Sequence, residues 1–121
     1  MAAPNLLSAT TINGKTSVIN GIGSTATTIL SNSASSGKVL KVNAIVVSNT
    51  DSADRTLTTD FYRNSIAYDL ITNVTIAQKS AFTPVDKTMT LYLEEGDSIR
   101  LTSGSSDSGY LDAICSYEDI S

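Results

Sequence analysis

Apolar and polar residues alternate with a period of two along most of this chain, and no stretch sustains a helical period. The clearest run is Val39 to Ser48. Leu40, Val42, Ala44 and Val46 lie on one face of it, while Val39, Lys41, Asn43, Ile45 and Val47 form a second face that starts wet and becomes apolar. Leu6 to Ile12 predicts a first strand, Asn13-Gly14 a tight hairpin turn, and Lys15 to Ile19 the return. Thr25 to Leu30 predicts the next strand, followed by a flexible polar loop from Ser31 to Gly37. Thr56 to Tyr62 and Ile66 to Ile71 predict a hairpin around Arg63-Asn64, with Leu57 and Phe61 facing a row of Ile66, Tyr68 and Leu70. Val74 to Ile76 suggests a short strand. Thr88 to Glu94 would put Met89, Leu91 and Leu93 on one face, with Ile99 and Leu101 inward on the return from Ser98 to Thr102. A second flexible loop, Ser103 to Gly109, precedes a closing strand from Tyr110 to Ile120.

Eight to ten short strands with turn signals about every ten residues specify an all-β fold. The expected form is a two-sheet antiparallel β-sandwich, jelly-roll-like. Its predicted core is Leu40, Val42, Ala44, Val46, Leu91, Leu93, Ile99 and Leu101. The 121 residues fit one domain, 8–121, preceded by an extended N-terminal arm, 1–7, that Pro4 keeps out of helix. The opening residues lack the charged and apolar regions of a signal peptide, and no run approaches a membrane span, so cytoplasmic synthesis without membrane association is expected.

Composition narrows the chemistry. The chain has no histidine, no tryptophan and one cysteine, which removes most nucleophilic and transition-metal sites. Cys115 has no histidine to activate it and reads as a small buried hydrophobe. The net charge of −4, without a basic cluster beyond Lys38 and Lys41, argues against nucleic acid. Two acidic groups remain, Asp51 with Asp54 and Glu94 with Glu95 and Asp97. Neither has calcium-loop spacing, and neither sits in a sequence with the aromatic platforms of a glycosidase. The glycines form no phosphate cradle, and Asn73-Val74-Thr75 is a glycosylation sequon without a secretory context. The expectation is therefore no catalytic residue, no metal and no cofactor. The candidate interface residues are Pro4, Asn5 and Leu6 in the arm together with Tyr62, Tyr68 and Tyr110, since tyrosine offers large contact area with a polar end.

Several segments carry a family likeness. These are Met1-Ala2-Ala3-Pro4-Asn5, Thr11 to Thr16, Ser36 to Ala44, Leu91 to Leu101, and Ser116-Tyr117-Glu118. Together they resemble small virion structural proteins of tailed bacteriophages, especially those infecting marine cyanobacteria. Relatives often have glycines in the turn held here by Arg63-Asn64. The resemblance implies a virion part made in the host cytoplasm, with the major capsid protein or other virion proteins as partners. A capsid decoration, or cement, protein is expected first, as a homo-oligomer with a trimer the leading form. A tail, neck or fibre protein is the alternative in the same class. A carbohydrate-binding β-sandwich used in host attachment is the alternative from another, and it would need an aromatic platform on one exposed face.

Overall fold

A computed structural model describes residues 5–121 as two packed antiparallel sheets. The strands are β1 (Ile12–Ile19), β2 (Thr27–Ser31), β3 (Val39–Asn49), β4 (Arg55–Arg63), β5 (Ile66–Ile76), β6 (Ser80–Val85), β7 (Leu91–Leu93), β8 (Ser98–Ser103) and β9 (Leu111–Ile120). One sheet runs β1-β9-β3-β6, with β7 also on β3, and the other runs β2-β8-β4-β5. The pairing is nested. The first strand pairs with the last, β2 with β8, β3 with β6 and β7, and β4 with β5. Contacts of β9 with β3 and of β8 with β4 then join these pairs into two sheets. That is a jelly roll, as the strand count predicts, with its sixth position split in two because eleven-residue β3 takes both β6 and β7 on one flank.

Between the sheets lie Ile22, Val42, Ile45, Val47, Leu57, Val85, Leu93, Ile99, Leu101 and Leu111, all fully buried. Each such side chain contributes about 1.5–3 kcal/mol on leaving water, enough together to hold a domain of this size without staples. Cys115 lies among them, as its sequence surroundings predict, and burial pushes its thiol pKa up to about 11.

The structure corrects several expectations. Asn13 and Gly14 do not turn the chain. They lie inside β1, which pairs without interruption from Ile12–Ile120 to Ile19–Ala113, so eight pairings with a distant strand override the local turn signal. The residues expected as the first strand hold instead a 3-10 turn, Leu6–Ser8, capped by the Asn5 side chain, which accepts a hydrogen bond from Leu7 N at 2.9 Å. Residues 1–4 of the predicted arm, Pro4 included, lie outside the described residues. In β3 the predicted inward row breaks. The pairing steps from Val42–Tyr117 to Ala44–Ser116, which leaves Asn43 as an extra residue and flips the faces beyond it. Leu40 and Val42 stay inward, but Ile45 and Val47 replace Ala44 and Val46, and Val46 is 38% exposed. Near Thr88 the chain turns, because Asp86 accepts hydrogen bonds from Thr88 N and Oγ1 at 2.9 and 2.6 Å. Met89 is consequently exposed, and the strand shrinks to Leu91–Leu93.

The predicted hairpin between β4 and β5 forms, but its turn lies one residue later, at Asn64 and Ser65, because Arg63 still pairs with Ile66, and β5 runs on to include Val74 to Ile76. Asn64 and Ser65 both have positive φ, 52° and 63°, the primed turn that matches strand twist. The remaining loops are pinned, although their composition suggests flexibility. Buried Asn32 donates to Lys38 O and Leu93 O and accepts from Ser36 Oγ. Buried Asn49 donates to Ala53 O and Ile76 O. In the 103–109 loop, Asp107 accepts from Thr56 N, Thr56 Oγ1 and Arg55.

Candidate interaction surfaces

A jelly roll offers two outward sheet faces, and here they differ in chemistry. On the four-stranded sheet, the outward residues of β4 and β8 are Thr58, Asp60, Tyr62, Arg100 and Thr102. Arg100 donates to both Asp60 oxygens at 2.9 and 3.2 Å and lies 3.8 Å above the Tyr62 ring. The Asp60 carboxylate, its main partner, raises the Arg100 pKa above the ordinary arginine value, against the opposing effect of burial. Thr58 accepts from Asn73 N, and Thr72 donates to Asp69. This face is hydroxylated and charged, with Arg100 matched to Asp60 and the Asp69 carboxylate bonded to the Thr72 hydroxyl.

The five-stranded sheet turns a different surface outward. Val18, Ile114 and Val46 are cross-strand neighbours on β1, β9 and β3, exposed by 67, 53 and 38%. The adjoining row is Thr16, Ser116 and Ala44. Neither row contains a charged residue. Among the flanking charges, Lys41 and Glu118 pair with each other at 3.8 Å, Glu118 also accepts from Asn43, and Asp112, two residues before Ile114 on the same face, accepts from Gly21 N at 2.8 Å. A groove of about 460 Å³ opens beside Ala44, lined by Lys41, Asn43, Ala44, Lys87, Thr90 and Glu118.

Of the acidic residues singled out in the sequence, Asp51, Glu94 and Asp97 serve as ion-pair partners, while Asp54 accepts from Gln78 N and Glu95 from Gly37 N. Arg63 donates to Asp97 at 2.7 and 2.6 Å and to Glu94 at 2.7 Å, and Asp97 also accepts from Glu94 N. The Arg63 pKa is raised, chiefly by the Asp97 hydrogen bonds. The Arg55 hydrogen bond holds Asp51 below the usual carboxylate range. Asp119, almost buried, accepts from Lys15 at 2.9 Å and Lys38 at 3.0 Å. Burial alone would raise the Asp119 pKa; the two ammonium groups outweigh it and lower the pKa. Among the described residues, no three histidine, cysteine or acidic side chains gather to hold a metal.

The predicted interface residues fall in separate places. Asn5 and Leu6 sit on the 3-10 turn leading into β1, with Leu6 47% and its neighbour Leu7 97% exposed. Tyr62 lies outward on β4 beneath Arg100. Tyr68 pairs with Phe61, so it faces the other side of the same sheet, exposed on an edge strand. Tyr110 precedes β9, with Arg55 3.6 Å from its ring centre. The tyrosines thus form no shared platform, and two of them give a ring face to an arginine of their own chain. Sequence reasoning missed the Val18–Ile114–Val46 row. The alternation of Ile114 against buried Ala113 and Cys115 signals part of it, but the bulge at Asn43 conceals Val46.

No family model matches the chain, and no curated protein matches it. Among solved structures, the chain is similar to one described in the words "Bacillus endospore appendages form a novel family of disulfide-linked pili". The two are 12% identical with a TM-score of 0.54, over 100% of this chain and 96% of that one. At that identity the likeness is one of fold.

Proposed function

We propose that this chain is a non-enzymatic structural subunit used in many copies, and specifically a decoration protein on the head of a tailed phage. The observation that carries the structural reading is the outer face of the five-stranded sheet. Three exposed β-branched side chains lie side by side there, with no charge in their own row. Contact surfaces between subunits are depleted of charge at their centres, and contiguous apolar patches mark such surfaces. The fold it shares with a pilus-forming appendage protein supports the same reading. Cys115 is buried, so a subunit-to-subunit disulfide like the one named for those pili is not open to it, and its contacts would be non-covalent. The phage assignment rests on the sequence resemblance, and cementing the head lattice is the role it implies first.

The test is to add the purified protein to phage heads lacking it and to measure copies bound and heat resistance. Saturation at hundreds of copies with improved resistance is expected. Saturation at a dozen or fewer would move the protein to the neck or fibre. A protein that never leaves the monomeric state and binds no particle would end the structural-subunit reading.

A further inference from the structure

The apolar row on the outer sheet face has a counterpart on the same chain. Leu7 is 97% exposed and Leu6 47%, on a turn fixed by the Asn5 cap. The segment after it is anchored, because Thr10 N and Thr11 N both donate to Ser121 O and Ser121 N donates to Thr11 O. The leucines therefore stand as a held apolar projection beside the Ile12 end of β1. Val18 lies six residues further along that strand, about 20 Å away at the usual rise. Leu7 is only three residues before the anchored Thr10, and three residues fully extended span at most about 11 Å. A single copy thus cannot seat Leu7 on its own Val18–Ile114–Val46 row, and its exposure shows that it does not.

Two copies can make that contact. We infer that the Leu6–Leu7 turn of one copy docks on the Val18–Ile114–Val46 row of a second copy, beside the groove at Ala44. This deepens the structural-subunit reading and rests on it. The match is chemical, since the leucine turn and the row are both aliphatic, and the carboxylate flanking the row, Asp112, already accepts a hydrogen bond from Gly21 N. The groove beside Ala44 adds depth at the edge of the row, and its rim of Lys41, Lys87 and Glu118 stays in contact with water around the apolar centre. The contact joins different patches on the two copies, so it is heterologous. It closes into a ring, a trimer if three copies complete the turn, or continues as an open array.

The heterologous geometry makes a mixing experiment decisive. Leu7→Asp removes the projection and Ile114→Asp removes the row, each at a surface position. In sedimentation, wild-type protein should assemble at high concentration. Each variant alone should be monomeric, with self-affinity weakened at least roughly tenfold, the loss of one apolar anchor. Mixed in equal amounts, they should form a dimer and nothing larger, because one good projection then meets one good row. Val18→Asp should behave as Ile114→Asp, and melting curves matching wild type keep misfolding out of the result. If the mixture stays monomeric, or if Leu7→Asp assembles like wild type, the contact is wrong. If wild type itself is monomeric yet saturates phage heads, the contact is likewise wrong while the subunit reading stands.

Discussion

The two outer faces of this sandwich are built on the same backbone pattern and end with opposite surfaces. On the four-stranded sheet, polar side chains are matched within the face itself, with Arg100 taken by Asp60 and Tyr62. On the five-stranded sheet, Val18, Ile114 and Val46 have each other as cross-strand neighbours and are otherwise left to solvent. A face whose groups are satisfied internally gains little from a partner. An apolar face gains from any surface that removes it from water. The same fold can thus assign one side to internal order and the other to assembly.

The largest test of this division compares two valines on β3. Val42→Asp should prevent folding, because a charge without a partner would be buried and would consume most of a typical stability of about 5–15 kcal/mol. Val46→Asp, four residues on, should yield a soluble protein with a cooperative melt and impaired assembly. A folded Val42→Asp variant would show that the inner and outer faces have been exchanged.

Breaking the matched charges gives the next effect. Arg100→Ala leaves Asp60 nearly buried without its partner, and a loss on the order of 1–3 kcal/mol is expected in denaturant melts, below the cost in a fully buried site because Arg100 is partly solvated. Lys41→Ala on the opposite face should change stability by less than about 0.5 kcal/mol, since its pair with Glu118 is long and solvated. Equal losses on both faces would erase the distinction.

Acid should act through the matched carboxylates. Asp51, Asp107 and Asp119 have folded pKa values below their ordinary ones. Stability from such groups is fully present above the unfolded value near 4 and is lost as pH falls through the lower folded values. Without histidine, no side chain has an ordinary pKa between pH 5 and 8. Melting temperature should therefore stay flat from pH 8 to about 5 and fall steeply below about 4. A transition near pH 6.5 would contradict this.

The smallest effect is a gain. Thr59 Oγ1 is buried without a hydrogen-bond partner among the described residues. Thr59→Val keeps the shape and removes the stranded hydroxyl, so stability should rise by about 1 kcal/mol. A loss would mean that the hydroxyl has a partner on the inner side.

The sequence by itself determined the fold class and part of the core. Period-two alternation needs only local geometry, so Leu40, Val42, Leu93, Ile99 and Leu101 were legible as inward residues, and Leu91 as a residue packed against them. The candidate interface was legible only in part. The leucine turn falls within the predicted arm, whereas the row that would receive it does not show in the sequence. Partner strands fix pairing register, and no local pattern encodes them. Asn13-Gly14 carries every local mark of a turn, yet β9 draws it straight. Val46 continues an inward row on paper, yet one extra residue opposite β9 turns it out to solvent. Asn32, Asn49 and Asp107 look like loop filler until neighbouring strands supply the backbone groups they bind. Only the tertiary structure decided these points, because a β-strand's faces, edges and loops take their meaning from strands distant in the chain.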